Sequence, residues 1–132
     1  MYIDRDNLAA STLLISDCEF CIEKTRNLLT NMGLNVHVAE TSGDAHLFCL
    51  TRKPRFVIAD LEMADGDGFE AMSLVRSTHR TTRVIAVTRG DHDVTWLDIV
   101  FGLGAHAYVV GPLTFEKLQE ALFSHDVGRS YH

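Results

Sequence analysis

The carboxylate of Asp60 closes an apolar run, FVIAD (56–60), and is followed by LEMADGDG (61–68). Asp17 comes directly after TLLIS (12–16), and Thr88 ends RVIAVT (83–88) with Arg89 next to it. Two carboxylates held close repel unless a cation or a shared proton intervenes, so a site containing Asp17 and Asp60 favours a hard divalent ion such as Mg²⁺. A carboxylate held against a metal is a feasible phosphoryl acceptor, and the Thr88 hydroxyl can bind an oxygen of the group it carries. Any one of these acids taken alone has a simpler use as a helix cap or a solvated residue. A different chemistry is open to Cys18 and Cys21, whose C-x-x-C spacing falls at the mouth of a helix, where the N-terminus lowers a thiol's pKa.

These residues act together only if the fold gathers them. TLLIS, FVIA (56–59), RVIAVT and AYVV (107–110) read as buried strands, and NVHVAE (35–40) alternates as an edge strand would. Between them lie helical periods. Ile22, Thr25, Leu29 and Met32 share a face in the first, which stops at Gly33; the second runs from Asp44 to Arg52, ahead of Pro54. A third runs from about Phe69 to Ser77, a fourth from Asp91 to about Leu103 and a fifth from Thr114 to Ser124, with Asp91 and Thr114 as candidate caps. Alternation of five strands and five helices predicts an α/β, doubly wound domain on a five-stranded parallel sheet. Ligands of such sheets sit at the carboxyl ends of the strands, where Asp17, Asp60, Thr88 and Gly111 fall.

The composition fits one such domain. A chain of 132 residues with 46% hydrophobic and 23% charged residues can bury a single core. The net charge of −6, with scattered Lys and Arg, argues against a nucleic-acid surface, and no apolar run is long enough for a membrane span. Three cysteines in a domain of this size are read as thiols of the cytoplasm. Seven histidines occupy different elements without ligand spacing, and GDG (66–68) lacks the glycine pattern and lysine of a phosphate cradle.

Taken together, DLEMADGDG (60–68), Thr88, and GLGAHAYVVGP (102–112) resemble the receiver domain of two-component response regulators, a flavodoxin-like fold of the CheY type, over roughly Thr12 to Ser124. The resemblance implies residues 1–11 as an N-terminal extension, 12–125 as the receiver and 126–132 as a frayed tail or linker start. It implies Asp60 as phosphoacceptor, Thr88 as switch hydroxyl, Tyr108 as switch aromatic, and a Mg²⁺ site from Asp17, Asp60 and the backbone carbonyl of Glu62. It implies no enzyme in the ordinary sense. The partners it implies are a sensor histidine kinase or phosphotransfer protein, an effector protein or domain, and a homodimer through the face from the fourth to the fifth helix.

Two positions depart from the family pattern. Cys18 stands where a second acid usually binds the metal, and a thiol is a poor Mg²⁺ ligand. Gly111 stands where a lysine usually reaches the phosphoryl group. Arg89, where a small residue is usual, is expected to point into solvent. The expectation is therefore an atypical, degenerate receiver with weakened Mg²⁺ binding that signals by protein contacts, in a bacterial phosphorelay. Trp96, in the apolar stretch VTWLDIVFGLG (94–104), is expected at a partner face or folded over the sheet edge. The alternatives are a thiol redox sensor using Cys18 and Cys21, and a flavodoxin-like enzyme, which the colour of the pure protein would reveal.

Overall fold

A computed structural model describes residues 11–90 and 94–132. The chain alternates strand and helix: β1 (Ser11–Ile15), α1 (Glu19–Asn31), β2 (Asn35–Ala39), α2 (Ser42–Thr51), β3 (Phe56–Asp60), α3 (Asp67–Thr78), β4 (Arg83–Thr88), α4 (Val94–Gly102), β5 (Ala107–Val110), α5 (Phe115–Phe123) and β6 (Arg129–Tyr131), with a 3₁₀ turn at Ala64–Gly66. All strands pair in parallel in the order β2-β1-β3-β4-β5-β6. The order reverses at β1, so the switch point lies between β1 and β3, the strands that precede Asp17 and end on Asp60.

The central strands are apolar on both faces because helices cover both. Leu13, Val57, Ala59, Val84 and Tyr108 pack with Phe48 of α2, Met72 of α3 and Val100 of α4. The alternate residues Leu14, Ile58, Ile85 and Val109 pack with Leu29 of α1 and Leu118 of α5. β2, at one edge, alternates exposed and half-buried residues, as its sequence predicts.

Three helix starts are set by capping side chains. Cys18 Sγ accepts the N–H of Cys21 at 3.3 Å, Thr41 Oγ1 that of Asp44 at 3.0 Å, and Thr114 Oγ1 that of Lys117 at 3.2 Å. The Thr41 cap is why α2 begins at Ser42 and not at Asp44. α3 likewise starts at Asp67, two residues before the apolar periodicity becomes readable. The expected helix start and cap at Asp91 lie outside the described residues.

The sheet has six strands where five were expected, and the tail is not frayed. β6 pairs with β5 in the register Ala107↔Arg129, Tyr108↔Ser130 and Val109↔Tyr131, and Tyr131 is buried beside the α1–α5 cluster. Three residues reading RSY are too short for a visible alternation. What anchors the tail comes from elsewhere in the chain. The Arg83 guanidinium donates to Ala121 O at 2.7 Å and to Asp126 O at 2.9 Å, and Gly128, at φ +86°, donates its N–H to His106 O at 2.8 Å.

His106 ties β4 to the start of β5. Its own N–H donates to Val84 O at 2.7 Å, and its Nδ1 accepts the Val84 N–H at 3.0 Å, which requires that nitrogen to be unprotonated. Burial, then the nearby Arg76 and Arg83 charges, lower its pKa from the ordinary value of 6.5. Below that value the unfolded chain binds a proton that the folded chain resists, so this contribution is present above about 6.5 and is lost as pH falls. We expect a His106→Gln variant to show a flatter stability profile on the acid side in denaturant titrations. Equal slopes in the two proteins would contradict the assignment.

Candidate functional site

Asp60 is the last residue of β3 and only 6% exposed. An uncompensated carboxylate there would be costly, and its partners are arranged accordingly. Ser16 Oγ donates to Oδ2 at 2.9 Å, and the N–H of Glu62 donates to Oδ1 at 2.9 Å. Arg89 brings Nη2 to 3.6 Å from Oδ2 and Nε to 3.5 Å from Glu62 Oε2. Thr88, the end of β4, is buried, and its hydroxyl has Glu62 Oε1 at 2.8 Å and Gly90 O at 3.2 Å as acceptors.

Arg89 is therefore not directed away from the site, as expected from its place after Thr88. Its side chain is 54% exposed, yet its guanidinium turns back over the two carboxylates. A small residue at that position has no such reach. Lys117 of α5 was not foreseen either. Its Nζ donates to Val110 O and to Pro112 O, both at 3.0 Å, and so brackets Gly111 at the end of β5. Gly111 leaves its own position without a side chain; its N–H donates to Thr88 O at 2.7 Å, and the Gly111–Pro112 peptide is cis.

Asp17 is exposed and accepts the N–H of Ala64 at 3.2 Å, tying the β1–α1 loop to the turn after β3. Among the described residues no three His, Cys, Asp or Glu side chains gather at metal-binding distance. The donor set as arranged does not fit a Mg²⁺ ion. Asp17 caps a loop, Asp60 and Glu62 face the Arg89 guanidinium, and the adjacent side chain is the Cys18 thiol rather than a hard oxygen.

Cys18 and Cys21 are half-buried free thiols, and Cys49 is a buried one. The hydrogen bond from the Cys21 thiol lowers the Cys18 pKa most, the Cys21 N–H adds to this, and Arg89 contributes a smaller lowering. Burial raises that of Cys21, and its bond to Cys18 raises it further. Burial also raises Cys49.

Tyr108 is fully buried, with its hydroxyl 3.4 Å from Gly90 O. Trp96 meets it edge-on, with centroids 5.6 Å apart, and meets Phe69 of α3 in the same way at 5.7 Å. Trp96 is thus folded over the sheet, and among the described residues of α4 the large apolar side chain left in solvent is Ile99, 51% exposed. Along the neighbouring edge β6 covers β5, and the His132 ring stacks on Tyr108 with centroids 6.3 Å apart.

An open parallel sheet with a buried carboxylate at its switch point defines a doubly wound module with one ligand edge. Residues 12–123 match the response regulator receiver domain family. The chain is 26% identical over 112 residues to the acid tolerance regulatory protein ActR of Rhizobium meliloti (strain 1021), covering 85% of this chain and 57% of that protein. It is 30% identical over 105 residues to the transcriptional regulatory protein AfsQ1 of Streptomyces coelicolor, covering 78% and 45%. Among solved structures it resembles the chemotaxis protein CheY4 of Vibrio cholerae, with TM-score 0.78, 22% identity and coverage of 86% and 96%. It also resembles a response regulator of Burkholderia pseudomallei that holds a phosphorylated aspartic acid, a calcium ion and citrate, with TM-score 0.79, 21% identity and coverage of 87% and 67%.

The chain belongs to the response regulator receiver domain family and is a receiver of two-component signalling. It spans 45% to 61% of the length of the curated relatives it matches. Receiver domains bind Mg²⁺ at their phosphorylation site and are generally not enzymes. Among the described residues no helix is long and apolar enough to cross a membrane.

Alkylation tests the thiol geometry, because iodoacetamide attacks thiolate. We expect Cys18 to be modified first, with a rate profile centred below the ordinary thiol value of 9.0, and Cys21 and Cys49 to lag. Labelling of Cys49 or Cys21 ahead of Cys18 would overturn this order.

Proposed function

We propose that this chain is an atypical receiver in which Asp60 stands at the phosphoacceptor position, phosphoryl chemistry is weakened, and signalling runs through protein contacts. The observation that carries this is the Arg89–Asp60 ion pair at 3.6 Å. In phosphoryl transfer a carboxylate oxygen forms a bond to phosphorus while the donor's leaving group departs, and cations must offset the charge that gathers. Here the guanidinium of Arg89 is the cation beside Asp60, with the Thr88 hydroxyl as the nearby donor to a phosphoryl oxygen. Because that guanidinium is half in solvent, the pair contributes no more than about 1 kcal/mol to folding. It compensates charge at the site without holding the fold together.

A Mg²⁺ site from Asp17, Asp60 and the Glu62 carbonyl is weak in this scheme. Cys18 supplies no hard ligand, and Arg89 repels a second cation. Partners are a sensor histidine kinase or phosphotransfer protein on the Asp60 side, and an effector protein, an effector domain or a second copy on the face from α4 to α5. Ile99 of α4 and Phe123 of α5 are exposed apolar residues of those two helices, and β6 forms the sheet edge.

Intact mass after incubation with acetyl phosphate, with and without Mg²⁺, tests the proposal on the wild type and on Asp60→Asn. We expect at most a trace of phosphoryl adduct on the wild type, no greater with Mg²⁺ than without it, and none on Asp60→Asn. A Mg²⁺-dependent adduct that disappears in Asp60→Asn would show a working phosphorylation switch and overturn it.

A further inference from the structure

A cavity of about 400 Å³ opens beside Asp60, between the first turns of α1 and the chain leaving β5. Its floor is apolar: Leu14, Ile58 and Val87 come from three strands, on the sheet face that α1 and α5 cover. α1 does not close it. Phe20, in its wall, is 76% exposed, an apolar ring left in water at the mouth. Gly111 lies in the lining, where a β-carbon would already come within 3.3 Å of Thr88 O and a longer side chain would occupy the space.

The charged groups of the lining decide what fits. Asp60 is already engaged by Ser16, the Glu62 N–H and Arg89, so a cationic ligand would have to displace a guanidinium. The other charges are Lys24 and Arg89, both exposed, and Lys24 has no ion-pair or hydrogen-bond partner among the described residues. An anionic head therefore meets Lys24 directly and Arg89 in exchange with Asp60 and Glu62, while an apolar body meets the floor. A bare phosphate would leave that floor wet. The volume lies within the roughly 300–1,000 Å³ of small-molecule sites, and open α/β sheets take ligands at this edge.

We propose that this cavity binds a small apolar monocarboxylate, its hydrocarbon body on Leu14, Ile58 and Val87 and its carboxylate between Lys24 and Arg89. The site does not depend on phosphorylation of Asp60. A bound carboxylate competes with Asp60 and Glu62 for Arg89, which gives the ligand a direct effect on the phosphoacceptor position.

Octanoate is the probe, titrated into the full chain while the backbone amides of Lys24, Thr25 and Gly111 are followed by NMR, with octanol as the uncharged control. We expect saturable shifts at those amides, affinity for octanoate about five-fold or more above that for octanol, and a similar loss of octanoate affinity in Lys24→Glu. Gly111→Leu, which fills the cavity, should abolish binding. Lys24→Glu, on an exposed helix position, keeps the test decisive should Gly111→Leu not fold. Absence of saturable shifts in the wild type, shifts centred instead on the exposed Leu47 and Leu50 of α2, or unchanged octanoate affinity in Lys24→Glu would each overturn the proposal.

Discussion

A carboxylate delivered to the end of a central strand and nearly closed off from water has to be compensated, because an unpaired buried charge costs several kcal/mol. Much of the local structure around Asp60 meets that demand. Ser16, directly after β1, aims its hydroxyl at Oδ2, the chain turns at Leu61 so that the Glu62 N–H reaches Oδ1, and Arg89 bends back from the end of β4. The backbone is committed too. α3 comes so close that a β-carbon at Gly68 would press on the Asp60 carbonyl, so glycine is what permits its first turn to pack there. The site and the seating of α3 on the sheet are consequently one constraint.

The second determinant is the remodelled far edge. With β6 along β5 and His132 stacked on Tyr108, the aromatic line from Phe69 through Trp96 to Tyr108 is extended to the chain that forms the sheet edge. Tyr108 is packed inward, its hydroxyl near Gly90 in the same loop that receives the Thr88 hydroxyl. The Asp60 end of the sheet and the Tyr108 aromatic line therefore meet at the Thr88–Gly90 segment. A change in how Arg89 or Thr88 is engaged has a short mechanical route to Tyr108.

Legibility in the sequence tracked how local each cause was. The buried strands were readable because covering both faces of a parallel sheet demands unbroken apolar runs such as FVIA and AYVV. The Thr114 cap was readable because the hydroxyl and the N–H it accepts are three residues apart. The approach of Asp60 to Thr88 followed from strand ends meeting at one edge. Arg89 was misjudged because a long side chain beside a strand end can turn either way, and a carboxylate 29 positions earlier decides it. β6 was missed for the same reason, since its anchors are Arg83 and His106 rather than its own residues. Lys117 escaped notice because an amphipathic helix gives no hint that one lysine turns toward strand carbonyls.

If Arg89 stands in for a metal, then Mg²⁺ should bind only weakly beside Asp60, and the amide that sees this most directly is that of Glu62, whose N–H donates to Asp60 Oδ1. The decisive measurement is a Mg²⁺ titration of the wild-type chain followed at that amide by NMR. We expect the Glu62 resonance to stay in place through millimolar Mg²⁺. A saturable shift of that resonance with a millimolar or lower midpoint would mean that the ion displaces the guanidinium, and that the site is an ordinary metal-assisted phosphoacceptor after all.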